Sequence, residues 1–189
     1  MIRIISQEYI HPKEIEILCW LIDSGLDFYH FRKNNVCDTD CIAVLNRIPF
    51  AYRKNIVVHH HFNIDGFLYH HKSDERQYEH KNIHSCSAHQ FDEVIDYLTF
   101  YNHVFWSPVF DSISKQGYFK NTTIDLGKVK PHLRPQLIAL GGVQPSKFEM
   151  VKQMGFSQIA IKGWFWNEPN YKQAWREIRT TWQELEKTY

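Results

Sequence analysis

The sequence predicts an α/β protein of the (β/α)8 barrel class. Short apolar strands alternate with amphipathic helical stripes along all 189 residues, a pattern that argues a parallel sheet. The last two strands each run into glycine, Leu137–Leu140 into Gly141-Gly142 and Ser157–Lys162 into Gly163. Glycine lets an anion approach bare backbone N–H groups, and the loops after strands seven and eight are the usual phosphate site of such barrels. Tight βα turns alone would also select these glycines. The length gives one domain, 1–189, short against the ~250 residues typical of a barrel, so some connections must be abbreviated.

Ile2–Ser6 reads as the first strand. His11-Pro12 opens a helix with Ile15, Leu18, Cys19 and Ile22 on one stripe, stopped by Gly25. The second strand is Asp27–Arg32, with His30 and Arg32 on one face. Asp38 or Thr39 caps a helix through Ile42, Val44 and Leu45. Asn55–His59 is the third strand and Asp65–His70 the fourth. A parallel crossover needs ~10–12 residues or more, so the helix between these two strands is missing or reduced to a turn. Ser73–Tyr78 reads as a short helix and Ile83–Cys86 as the fifth strand. Phe91, Val94, Ile95 and Leu98 form the next helical stripe. His103–Trp106 is the sixth strand, followed by a long loop, 107–124, and one helical turn within Thr123–Val129. Pro145 suits the first turn of a helix between the last two strands. Tyr171, Trp175, Ile178, Trp182 and Leu185 make the closing amphipathic helix. The whole is a short TIM barrel, open to thinning between strands three and four.

Chemistry concentrates at strand ends. After Val104-Phe105-Trp106, Ser107 and Pro108 break the ladder. The loop then offers hydroxyls at Ser107, Ser112 and Ser114, an ammonium at Lys115 and a glycine at 117. Hydroxyl donors and a cation beside a strand end suit phosphate or pyrophosphate, and equally a solvated turn. His59-His60-His61 ends the third strand. Imidazole favours Zn²⁺, Ni²⁺ or Cu²⁺, although neighbouring strand residues face opposite ways and cannot all hold one ion. Cys37 and Cys41 have one half of a zinc spacing with no second pair to match, so they read as ordinary thiols. Neither a nucleophile elbow, a Walker loop nor a dinucleotide fingerprint is present.

Three motifs in register, Ser87-x-His89, Ser-Pro-Val-Phe-x-Ser-x-Ser-Lys at 107–115 and Ala139-Leu-Gly-Gly-Val143, resemble the thiamine phosphate synthase/TenI family over about residues 1 to 166. The resemblance implies a TIM barrel that couples hydroxymethylpyrimidine pyrophosphate to thiazole phosphate and releases pyrophosphate. It implies roles for Arg32, Lys115 and Ser87 around the pyrophosphate. It places His30, Ser112, Ser114, Gly141, Gly142 and Gly163 at the substrates' phosphates. His30 stands at a family glutamine and Asn34 at a family lysine, whose charge Lys33 would have to replace. His60 stands at a metal-binding aspartate, and the second aspartate has no match beyond His70, His71 or Asp74. Mg²⁺, which the family implies, wants oxygen ligands. A TenI-like thiazole tautomerase needs no Mg²⁺, only a phosphate anchor and a general acid–base, with His30, His60 and His89 as candidates. A non-catalytic thiazole or thiamine phosphate binder is the third reading.

Composition bounds the partners. Lys+Arg of 22 against Asp+Glu of 21 gives a net charge of +1, so neither a nucleic-acid tract nor a membrane surface is expected. No run approaches the ~18 apolar residues of a membrane span. Four cysteines without a secretion signal read as reduced thiols in a cytoplasmic protein. A thinned barrel wall would leave apolar surface that a homodimer could cover.

Overall fold

The computed structural model describes residues 1–60, 62, 64–72, 82–111, 121 and 124–188. Eight strands form it: β1 Ile2–Ile5, β2 Phe28–Phe31, β3 Ile56–Val58, β4 Leu68–His71, β5 Ile83–Ala88, β6 Val104–Trp106, β7 Leu137–Ala139 and β8 Gln158–Ile161. They pair in sequence order, and β8 returns to β1, closing the barrel. Every pairing is parallel, so all strand C-termini open on the same end.

Helices cover most of the outside. They are α1 Glu14–Asp23, α2 Asp38–Arg47, α3 Phe50–Arg53, α4 Phe91–Tyr97, α5 Phe148–Gln153, α6 Gly163–Asn167 and α7 Tyr171–Glu186. The stripe predicted for α1 is turned: Ile17, Leu18 and Leu21 are buried, with Ile15, Cys19 and Ile22 only partly so. Glu14 shares the buried face, held at the first turn by a charge partner just past β2 (below). The cap of α2 is Cys37, without a side-chain bond, rather than Asp38 or Thr39. Asp38 instead opens the helix, where a carboxylate complements the dipole. Glu93 accepts from the N–H groups of His89 and Gln90 at the start of α4, satisfying donors that a helix N-terminus leaves free. Pro145 starts a 3-10 turn that leads into α5. The closing helix is as the spacing predicts: Ala174, Trp175, Ile178 and Trp182 are buried, and Asn170 caps it by accepting from the Lys172 and Gln173 N–H groups. Trp182 meets Phe148 of α5 edge-on at 5.4 Å between ring centroids.

Between β3 and β4 the described residues hold no helix. Aromatic packing takes its place. Phe62 and Phe67 are buried, the Tyr69 hydroxyl donates to the Phe62 carbonyl, and Arg53 of α3 lies 5.0 Å over the Phe67 ring. The helix expected at Ser73–Tyr78 falls outside the described residues. A 3-10 turn at Leu126–Lys128 supplies the single turn expected before Pro131.

The barrel interior is divided. Ile5, Phe105, Ile138 and Ala160, from β1, β6, β7 and β8, form an apolar cluster. Facing it, His30, the His59 just past β3, and His70 of β4 bring three imidazoles to the other half. His30 and His70 each meet the Phe105 ring edge-on, at 4.9 and 5.2 Å. Toward the strand N-termini, Arg3 donates to Gln158 at 2.6 Å and lies over Phe28. His84 stacks loosely between Phe28 and His103. Burial pulls the Arg3 guanidinium down to about 9, His84 to about 4 and His103 to about 3, with Asp27 opposing the shift at Arg3.

Candidate active site

A cavity of about 190 Å³ opens at the C-terminal ends of the strands, where barrels of this class carry their chemistry. Its walls come from residues one step past successive strands. Inward residues recur every second position, so the pairs His30–Arg32, His70–Lys72 and Ala160–Lys162 each put a cation above an interior residue. Arg32, Lys72 and Lys162 all line the cavity. Lys162 also meets Glu8 at 2.7 Å. Ser87 and His89 of the β5 end, Ser107 and Pro108 after β6, Gly141 and Gly142 after β7, and Gly163 with Trp164 after β8 complete the wall. No aspartate or glutamate is in it among the described residues.

The glycine pair has a steric cause. Val109 donates to the Leu140 carbonyl at 2.8 Å and Phe110 to the Gly141 carbonyl at 3.0 Å, so the chain leaving β6 runs directly against the β7 end. A Cβ on Gly141 would lie 2.7 Å from the Pro108 Cα, and one on Gly142 2.8 Å from the Phe110 Cβ and on top of the Asp111 carbonyl oxygen. Both residues have positive φ, 98° and 63°. Gly163 is the first residue of α6, where the backbone N–H has no intrahelical acceptor.

The floor is histidine. The His30 Nδ1 lies 3.0 Å from the His59 Nε2, and the His59 and His70 rings stack at 4.0 Å between centroids. The His70 Nδ1 meets the Ser85 hydroxyl and its Nε2 the Ser87 hydroxyl, each at 2.8 Å. Burial, reinforced by neighbouring histidines, by Arg3 at His30 and by Arg32 at His59 and His70, holds all three imidazoles well below their ordinary pKa. They are neutral rings at pH 7. His89 stands at the rim, its Nδ1 3.1 Å from the Ser107 carbonyl oxygen.

The structure therefore gathers Arg32, Ser87, Gly141, Gly142 and Gly163 at one cavity. Ser112, Ser114 and Lys115 lie outside the described residues. His30 is fully buried beneath the lining rather than in it. His60 is not in the wall either; it packs against Phe62 at 5.5 Å, and among the described members of the histidine run it is His59 that turns inward. Lys33 cannot replace the missing family lysine. It is fully buried and points away from the cavity, donating to both Glu14 carboxylate oxygens at 2.6 and 2.7 Å and to the Gln7 and Tyr9 carbonyls. Cys37 and Cys41 are free thiols, one exposed and one buried in α2. Lys72 lies beyond the fourth strand as the sequence bounds it, at His70; its two-residue step past that histidine is the signal that locates it. Mg²⁺ does not fit the described lining, which offers imidazoles and ammonium groups where that ion needs carboxylate oxygens.

The sequence matches no protein-family model and no curated protein. Its fold has close counterparts among solved structures. Thiamine phosphate pyrophosphorylase from Bacteroides thetaiotaomicron superposes with a TM-score of 0.77 at 23% identity, over 95% of this chain and 96% of that one. The enzyme of the same name from Pyrococcus furiosus gives 0.74 at 14% identity, over 97% and 95%. The (S)-3-O-geranylgeranylglyceryl phosphate synthase of Thermoplasma acidophilum, in complex with sn-glycerol-1-phosphate, gives 0.66 at 11% identity over 97% and 92%. The chain thus has a thiamine phosphate synthase-like (β/α)8 fold.

Proposed function

We propose that this barrel is a thiamine phosphate synthase-like transferase, joining hydroxymethylpyrimidine pyrophosphate to a thiazole phosphate and releasing pyrophosphate. The observation that carries the reading is a cavity with cations on two walls and no described carboxylate. Arg32 and Lys72 rise from the β2–β4 side, and Lys162 with Gly141, Gly142 and Gly163 from the β7–β8 side. Two anionic groups on separate substrates would be held apart across the same space. In the reaction the methylene carbon–oxygen bond breaks and a carbon–nitrogen bond to the thiazole forms, with the electron pair leaving on pyrophosphate. Arg32 and Lys72 are placed to stabilise that charge as it develops. Ser87 adds a hydroxyl at the same end of β5, and Lys115, Ser112 and Ser114 are expected to join from the loop after β6.

A specific observation favours a second reading, a TenI-like thiazole tautomerase. The described lining offers Mg²⁺ no carboxylate, and the cavity, at about 190 Å³, is below the ~300 Å³ at which ligand pockets usually begin, which suits one small substrate. Of the three histidines weighed as acid–base groups, His89 alone lines the cavity. Purified protein mixed with both substrates, with and without Mg²⁺, distinguishes these readings. The transferase forms thiamine phosphate and pyrophosphate, and Arg32→Ala lowers its turnover about 10²-fold, the scale for losing one preorganised electrostatic contact. The tautomerase instead isomerises thiazole phosphate alone, and His89→Ala stops it. Absence of both reactions, with pyrophosphate and thiazole phosphate failing to bind, refutes both.

A further inference from the structure

Barrel interiors of this class are filled mainly by branched aliphatic side chains. Half of this one is filled by three imidazoles, from His30, His59 and His70, exposed by 0%, 5% and 1%. A buried polar group costs free energy unless it is partnered. Yet these three rings meet mainly one another and two serine hydroxyls, and a buried polar cluster inside an apolar barrel calls for a cause, an ion among them. The resemblance expected His30 at a substrate phosphate, but it lies beneath the cavity lining, and the transferase reading uses neither His59 nor His70.

We infer that His30, His59 and His70 form a binding site for a borderline divalent transition metal, Zn²⁺ in chemical class, at the floor of the cavity. One ring nitrogen from each lies within 4.8 Å of the other two. Around an ion with Zn–N bonds of ~2.0–2.1 Å, three nitrogens sit about 3.3 Å apart. The His30 Nδ1 and His59 Nε2, at 3.0 Å, need to part only slightly to reach that separation, and the ion takes the place of the proton they share. His70 completes the set by a rotation that unstacks its ring from His59 and turns a nitrogen toward the other two. Its two nitrogens are held by Ser85 and Ser87. Ligation through Nε2 leaves Ser85 to accept from Nδ1–H, the outer hydrogen bond that fixes a ligating imidazole, and releases the Ser87 hydroxyl into the cavity. The rings are neutral, so their lone pairs are available. Three neutral imidazoles without a carboxylate select zinc, nickel, copper or cobalt over magnesium. His59 and His70 line the cavity, so the fourth position faces the space where a phosphate or water would sit, as in zinc sites that keep an open coordination place. The site rests on the barrel interior and not on the transferase reading.

The experiment uses the full chain stripped with EDTA and titrated with Zn²⁺ and with Co²⁺. One ion per chain should bind in calorimetry, unaffected by millimolar Mg²⁺, and Co²⁺ should develop visible bands of a four- or five-coordinate nitrogen site. His59→Gln and His70→Gln should each lose at least 100-fold in affinity, and Ser85→Ala between 10- and 100-fold. His60→Ala should bind as the parent does. Should the glutamine variants fail to fold, side-chain nitrogen spectra of the unaltered protein decide: Zn²⁺ should move the imidazole signals of His30, His59 and His70. No stoichiometric binding, or shifts confined to other histidines such as His11, His89 or His132, overturns the site. Failure of transferase turnover leaves it standing, since binding is read without substrate.

Discussion

Lowering the pH should unfold this protein from its centre. His30, His59 and His70 are neutral in the folded barrel because burial opposes their charged forms, whereas an unfolded chain protonates them near pH 6.5. Below that pH the unfolded state binds more protons than the native one. Stability therefore rises with pH through this window and falls as pH drops from 6.5 toward the depressed native values. Each histidine contributes about 1.4 kcal/mol per pH unit there, so the three together give roughly 4 kcal/mol per unit. His84 and His103, drawn down to about 4 and 3, act in the same direction but are partly exposed and screened. A domain's whole stability is ~5–15 kcal/mol, so one to two pH units below 6.5 consume a large part of it. Urea unfolding in EDTA at half-unit steps from pH 7.5 to 5 measures the slope. A single His70→Gln exchange should reduce it by about one proton. An unfolding free energy that stays level from pH 7.5 to 5.5, or native imidazole signals titrating near 6.5, would refute the reasoning.

Three other perturbations test separate parts of the structure. Lys33→Ala leaves Glu14 buried without its charge partner and should cost about 3–5 kcal/mol, while Lys33→Met with Glu14→Leu recovers most of that loss; denaturant midpoints compare them. Gly142→Ala forces a side chain onto the chain leaving β6 and a positive φ onto alanine. It should lower the melting temperature and weaken thiazole phosphate binding together, so a variant with wild-type stability and lost binding would contradict the packing described. Phe67→Ala removes the buried ring that stands in for a helix between β3 and β4 and should cost about 3–5 kcal/mol, read as a lower urea midpoint; a change under 1 kcal/mol would mean the ring seals nothing.

The barrel was legible because its signals are local and repeated. Glycine after β7 and β8, the Trp175–Trp182 stripe of α7 and the shortness of the link at residues 59–67 each follow from periodicity or chain length. The site was legible only where a residue's face could be counted from a strand. Arg32 and Ser87 were placed at the right end, but the histidine run misled because alternation alone does not say which member turns inward. Between the two described members it is His59 that does, and its partners come from β2 and β4, far apart in sequence. Lys33 shows the other difficulty. One position from Arg32, it crosses to the opposite face and serves Glu14, a charge pairing across 19 residues that no spacing rule announces. The glycine at 142 follows from the strand-end pattern, but the approach of the Asp111 carbonyl that leaves no room for a side chain there is visible only in three dimensions.

The sector sealed by Phe62, Phe67 and Tyr69 has a further consequence. A helical layer protects the strands beneath it through many cooperative backbone bonds, whereas a loop closed by a few rings opens in smaller and cheaper steps. Amide hydrogens of β3 and β4 should thus exchange with solvent sooner than those of β5 and β6, which α4 covers. These same two strands carry His59 and His70. Breathing of the thin wall, rather than entry through the cavity mouth alone, would then give water and small ions a second way to the imidazole floor, and would set how fast anything bound there can leave.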